Sequence, residues 1–168
     1  MSVHKRPYDE PIIMIEHNAF NRLYEETMAL IEKTAAYIDS EGKVVARSLS
    51  TEISALYAKE AMYLSTRLMQ IASQLLLLRA EREGEMSSEQ IKKEIVKVSL
   101  HTPTLEFETA HWDELPEIFR QFVAHSLRLE ARIKYMRAGW ETAASCDLSD
   151  ENPVGKQIEL LKTAFGRS

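Results

Sequence analysis

Between residues 57 and 80, the sequence YAKEAMYLSTRLMQIASQLLLLRA carries more apolar side chains than one packing face of a helix requires. One stripe follows the three- and four-residue spacing of a core-facing helix, and only Glu60 interrupts it. The members of this stripe are Ile53, Tyr57, Leu64, Leu68, Ile71, Leu75 and Leu78. We expect the stripe to pack in the interior of a helical bundle.

A second apolar set, Met62, Met69 and Leu76, repeats every seven residues beside the first stripe. A helix with two apolar faces needs two partner surfaces. We therefore predict that the second set forms the interface of a homodimer. The remaining side of the helix is predicted to face solvent through its polar residues, which are Lys59, Arg67 and Gln74.

The composition favours an all-α fold. Only five Gly and five Pro occur in 168 residues, and strand-like alternation of apolar and polar residues is scarce. A content of 45% hydrophobic and 28% charged residues is ordinary for a globular domain of this length. The predicted fold is an antiparallel three-helix bundle with short accessory helices, dimeric through the second long helix.

The helix signals divide the chain into an N-terminal arm at 1–17, a bundle domain at 18–144 and a C-terminal segment at 145–168. Pro7 and Pro11 predict an extended arm. The first helix is predicted from Asn18 to Ser40, with Gly42 as its stop.

Three further helices, two long and one short, are predicted in the bundle domain. The second helix is predicted from Ser50, a good N-cap, to Glu83, before Gly84. Ser87 and Gln90 have the spacing of a capping box and predict a short helix over 88–98. The third long helix is predicted to open at Asp113, with Pro116 in its first turn.

The C-terminal segment combines a polar linker, SCDLSDENP, with a short amphipathic helix. One face of this helix is apolar and carries Val154, Ile158, Leu161 and Phe165. These four residues are predicted to dock either back on the bundle or into a groove of a partner protein, and the pattern does not choose between the two.

Residues with catalytic or metal-binding potential are few. Glu108 and His111 form one Glu-x-x-His pair, whereas a di-iron bundle needs two such pairs. His125 borders the apolar stripe of the third helix, which is typical of a partly buried, hydrogen-bonded histidine. Cys146 has no nearby histidine, and the chain has neither a Gly-x-Ser-x-Gly elbow nor a glycine-rich phosphate loop. We expect no enzyme activity, no metal and no cofactor.

The third helix is locally basic, with Arg120, Arg128, Arg132, Lys134 and Arg137. These residues flank the apolar stripe on both sides and form no continuous basic face. The formal net charge of −5 also argues against nucleic-acid binding. Docking of this helix to an acidic protein partner stays open, as do a DNA-binding regulator and a metal-dependent helical enzyme as alternative classes.

The chain is expected to reside in the cytoplasm. A single cysteine forms no internal disulfide, and MSVHKRPYDE lacks the apolar core of a secretory signal. The longest uninterrupted apolar run, Leu75 to Leu78, is far short of the roughly 20 residues that span a bilayer.

The segment STRLMQIASQLLLLRA, followed by REGEMSSEQ and FRQFVAHSLRLEARIKYMRAGW, resembles the alphaproteobacterial regulator-of-CtrA-degradation family over residues 18–142. The resemblance implies a dimeric, mainly three-helix adaptor that helps deliver cell-cycle regulators to the ATP-dependent Clp protease. It also implies companion adaptors, proteolysis substrates as partners, and assembly at a cell pole. No functional residue is transferred by position, and the segment at 145–168 lies beyond this resemblance.

Overall fold

The computed structural model describes residues 9–103 and 111–146, with side chains over 17–103 and 111–139. These residues form five α-helices and one 3₁₀ turn, with no strand among them. The α-helices are α1 (Asp9–Asp39), α2 (Glu41–Ser48), α3 (Thr51–Arg82), α4 (Ser88–Lys97) and α5 (Glu117–Cys146). The predicted all-α fold is confirmed.

Helix α1 begins earlier than predicted. The expected extended arm and the start at Asn18 are wrong for residues 9–17, because α1 starts at Asp9. Asp9 and Glu10 stand in the first turn, where acidic residues are favoured because of the helix dipole. Pro11 costs little there because the first turn has no intrahelical use for its missing N–H.

Gly42 is not a helix stop but a point of close packing inside α2. A Cβ at this position would lie 2.6 Å from Oη of Tyr57 and 2.9 Å from the backbone oxygen of Tyr37. Gly42 is buried, so the missing side chain lets the start of α2 approach α1 and α3. Only a glycine fits this contact without displacing a backbone.

Helix α3 follows its predicted boundaries closely. The hydroxyl of Ser50 accepts a hydrogen bond from the backbone N–H of Ile53 at 3.3 Å, and Gly84 adopts a φ of 73° after the helix ends. All seven members of the predicted apolar stripe are buried. Glu60, which interrupts that stripe, is also fully buried.

Arg67 and Gln74 contradict the prediction that they face solvent, since both are fully buried. The guanidinium of Arg67 donates to Oγ of Ser126 at 3.0 Å and to the backbone oxygen of Pro103 at 3.3 Å. Its Nε lies 3.2 Å from Oε2 of Glu130. Burial lowers the pKa of Arg67, while the carboxylates of Glu130 and Glu60 act in the opposite direction. These partners make the interior position of a cation possible.

A polar row on α3 holds the segment at 98–103. Nε2 of Gln74 donates to the backbone oxygen of Val98 at 2.7 Å, and Oγ1 of Thr102 donates to Oε1 of Gln70 at 2.8 Å. Together with the bond from Arg67 to Pro103, these contacts pair later residues of the segment with earlier residues of α3. The segment therefore runs back toward the start of α3.

Because the segment at 98–103 runs back toward the start of α3, α5 begins near that end of the bundle. The rings of Tyr57 and Phe119 lie 4.5 Å apart, so the start of α5 is beside the first part of α3. Arg67 contacts Ser126 further along both helices, which shows that α3 and α5 run in the same direction. Helix α1 is antiparallel to α3, since Arg82 stacks 4.2 Å from the ring of Phe20. The helical bundle is confirmed, with antiparallel packing for α1 and parallel packing for α3 and α5.

The third long helix begins at Glu117, four residues later than predicted. Trp112–Glu114 form a 3₁₀ turn, and Leu115 is extended with a ψ of 148°. The residue before a proline is disfavoured in the α conformation, so Pro116 separates the turn from the helix. The capping box of α4 is present as predicted, with Ser87 and Gln90 bonded to each other's backbone N–H.

Gly42→Ala is expected to lower the free energy of unfolding by about 1–3 kcal/mol, because the new methyl group overlaps the Tyr37 backbone. Urea denaturation measures the change. Gly139→Ala in α5 is the matched control, because a Cβ there meets nothing within 4 Å. The control should raise stability by about 0.5–1 kcal/mol through helix propensity. Equal effects of the two substitutions would contradict the close packing at Gly42.

Candidate interaction surfaces

The methionine face of α3, defined as Met62, Met69 and Leu76, points away from the buried side of the helix. The exposed fractions are 60% for Met62, 69% for Met69 and 50% for Leu76. Large apolar side chains aligned at seven-residue spacing on one surface form a stripe typical of a helix-packing interface. The face is uncovered in the single chain, and the homodimer interface assigned to it stays a prediction.

A groove with a volume of about 450 Å³ lies between α1 and the first half of α5. Leu30 and Phe122 supply its apolar floor, while Ala29 and Ala124 leave room because their side chains are short. The edge-on contact of Phe122 with Tyr37, at a centroid distance of 5.5 Å, holds the Phe122 ring. This α1–α5 groove was not predicted from the sequence.

His125 bridges the two walls of the α1–α5 groove. Its Nε2 lies 2.7 Å from Oε1 of Glu26, and both side chains are about one-third exposed. This hydrogen bond engages Nε2 of the imidazole and joins α1 to α5. The prediction of a partly buried, hydrogen-bonded histidine is confirmed.

His111 lies between two carboxylates near the start of α3. Its Nδ1 is 2.8 Å from Oε1 of Glu114, and its Nε2 is 3.4 Å from Oε1 of Glu52. The hydrogen bond with Glu114 raises the pKa of His111 above its ordinary value. Desolvation opposes this shift, and the charge of Glu52 adds to it. The partner in the Glu-x-x-His pair, Glu108, lies outside the described residues. Over 9–103 and 111–146, no group of three or more His, Cys, Asp and Glu side chains is arranged to hold a metal ion.

The basic residues of α5 have different surroundings. The guanidinium of Arg120 lies 3.1 Å from Oδ1 of Asp113 and is therefore engaged in an ion pair. Arg128 is exposed and lines the α1–α5 groove. Arg132, Lys134 and Arg137 each make further interactions. These different surroundings agree with the prediction that the basic residues form no single face.

The structure describes only the beginning of the predicted C-terminal segment. Helix α5 continues to Cys146 and so includes the first two residues of the predicted linker, and the Cys146 side chain lies outside the described part. Val154, Ile158, Leu161 and Phe165 also lie outside the described residues, so their docking stays a prediction. None of the described helices is long and apolar enough to cross a membrane.

A signal for the groove residues was present in the sequence. The positions three and four residues from Lys33 and from Arg128 contain no acidic residue, so neither cation has a carboxylate at the spacing that favours ion pairs within a helix. Ala29 and Ala124 supply the small side chains. Because α1 and α5 come together only through tertiary packing, the sequence does not show that these residues line the same groove.

The chain matches a known protein family. The family model described as "Protein of unknown function (DUF1465)" matches residues 13–165, and the chain belongs to this family. A crystal structure of RcdA from Caulobacter crescentus CB15 is 38% identical, with a TM-score of 0.55. The match covers 70% of this chain and 87% of the RcdA chain.

The resemblance to the regulator-of-CtrA-degradation family is confirmed by these matches. The family match extends to residue 165, so the expectation that the segment at 145–168 lies beyond the resemblance is wrong. The first part of that segment is polar, and its predicted helix has only four apolar positions on one face. The segment therefore carries too little pattern for the resemblance to be seen there. No curated protein matches the chain.

Proposed function

We propose that this protein is a non-catalytic adaptor in regulated proteolysis that helps deliver cell-cycle regulators to the ATP-dependent Clp protease. The observation that carries the proposal is the 38% identity to RcdA, a regulator of CtrA degradation, over 87% of that chain. The proposal includes companion adaptors and proteolysis substrates as partners, and a cytoplasmic location concentrated at a cell pole.

The geometry of the described residues supports a role exerted through contacts. An adaptor needs a firmly packed body and outward surfaces whose affinity is weak enough to release cargo. The polar row of α3 stabilises this body through hydrogen bonds of the buried Arg67 and Gln74 and of the half-buried Gln70. The methionine face and the α1–α5 groove supply two outward surfaces.

The methionine face is proposed as the seam of a homodimer. Methionine is unbranched and adapts its shape, which suits packing against an identical helix. Alignment at seven-residue intervals lets Met62, Met69 and Leu76 of one copy meet the same residues of the second copy around a two-fold axis. A dimer built this way covers apolar surface that the single chain exposes.

The double substitution Met62→Glu and Met69→Glu is expected to convert the dimer to a monomer, because it places like charges across the seam. Light scattering after size-exclusion chromatography at micromolar concentration measures the mass. Val96→Glu is the matched control, since Val96 is 78% exposed on α4, outside the seam. The control should remain dimeric. A monomeric unsubstituted protein, or a dimeric double variant, would contradict the seam.

The tail helix is proposed to contact a partner of the delivery machinery through Val154, Ile158, Leu161 and Phe165. Its apolar face follows a polar linker, which suits a peptide-like docking element. Docking of the same face on its own bundle is the competing placement.

A reconstituted degradation reaction tests delivery. It contains purified Clp protease, ATP, the companion adaptors and a cell-cycle regulator as substrate. Full-length protein is expected to accelerate substrate loss, whereas a variant that ends at Ala144 should lose most of this effect. Equal acceleration by the shortened variant would refute the tail contact. No acceleration by the full-length protein would refute the adaptor function itself.

A further inference from the structure

The α1–α5 groove combines an apolar floor with two cations that have no acidic partner among the described residues. Lys33 and Arg128 both line it, and neither forms an ion pair there. Some other exposed cations are paired within their helices, as Lys43 is with Asp39 and Arg79 is with Glu83. Lys33 and Arg128 therefore keep their charges available to a ligand.

The sequence explains why these two cations stay unpaired. Three and four residues from Lys33 stand alanine, leucine, alanine and tyrosine, and the same spacings from Arg128 hold alanine, histidine, alanine and arginine. No intrahelical carboxylate can reach either cation at the favoured spacing. The groove carboxylate, Glu26, is engaged with His125 at 2.7 Å. The groove is thus locally positive in a chain whose net charge is −5.

The two cations lie at opposite ends of the groove. Helices α1 and α5 run antiparallel here, because Glu26 pairs with His125 while Tyr37 contacts the earlier Phe122. Glu26 pairs with His125, and Arg128 lies three residues beyond His125 on the side away from Lys33. Lys33 lies seven residues from Glu26, so the rise between the two cations along the helix axes is about 15 Å. An extended peptide covers about 13 Å in four residues, and its side chains at positions i and i+4 point to the same face, so acidic residues at this spacing match the separation within the reach of the Lys33 and Arg128 side chains.

We propose that the α1–α5 groove binds an acidic, extended peptide segment of a partner protein. Two carboxylates four residues apart would pair with Lys33 and Arg128, and a small apolar side chain midway between them, on the same face of the peptide, would cover Leu30 and Phe122. Nucleic acid fits less well, because Glu26 stands in the groove and the overall charge is negative. The site does not depend on the proposed delivery role, since peptide binding is measured without any protease.

The test is an NMR titration of the ¹⁵N-labelled full chain at low salt. The probe is the peptide acetyl-Gly-Asp-Ala-Leu-Ala-Glu-Gly-amide, compared with a neutral peptide carrying Asn and Gln in place of the acids. Amide shifts are expected to concentrate on groove residues with the acidic peptide only. Lys33→Gln and Arg128→Gln should each weaken binding about three- to tenfold.

Two further variants separate charge from shape. Lys92→Gln removes an exposed cation on α4, outside the groove, and should leave binding unchanged. Ala29→Phe fills the groove from an exposed helix position and should abolish binding while leaving the circular dichroism spectrum unchanged.

Four outcomes would overturn the proposal. These are shifts away from the groove or none at all, equal binding of the neutral peptide, weakening by Lys92→Gln as large as that by Lys33→Gln, and full binding after Ala29→Phe. A further titration uses the oligonucleotide hexathymidylate. If it bound the groove more tightly than the acidic peptide does, the proposal that the ligand is a peptide would be overturned.

Discussion

The ion pair of Arg67 with Glu130 is the interaction on which the arrangement of the described helices depends. One buried guanidinium joins α3 to α5 through Glu130 and Ser126, and to the return segment through the backbone oxygen of Pro103. A buried charge left without its partner costs about 3–5 kcal/mol, so all three contacts are strongly coupled to folding. They fix the position of Pro103 and the parallel direction of α3 and α5, while Gln74 and Gln70 hold the rest of the return segment at Val98 and Thr102.

This buried polar row also explains which surfaces remain for partners. Because Arg67 and Gln74 take up interior positions, the opposite side of α3 presents Met62, Met69 and Leu76 to the outside. Because α1 is antiparallel to α5, their facing small residues leave a groove with a cation at each end. A body held by internal hydrogen bonds, with separate outward surfaces, suits the contact-based role that we propose. In that role, affinity resides in surfaces and no chemical step is required of the chain.

Much of the fold could be predicted from local patterns, and the errors have one physical origin. Caps at Ser50 and Ser87 and the apolar stripe of α3 act within a few residues, so they were predicted correctly. The positions of Arg67 and Gln74 were wrong, because charge normally marks solvent and their partners stand far away in sequence. The groove was missed for the same reason, since Lys33 and Arg128 meet only after α1 and α5 pack.

A double-mutant cycle on Arg67 and Glu130 tests the central claim most directly. Unfolding free energies are compared for the unsubstituted protein, Arg67→Met, Glu130→Leu and the double variant. Each single variant should lose about 3–5 kcal/mol, and the double variant should fall short of their sum by at least about 1.5 kcal/mol. The exposed pair of Lys97 and Glu94, 2.7 Å apart, should show a coupling below about 0.5 kcal/mol in the same cycle. Additive losses at Arg67 and Glu130 would contradict the account.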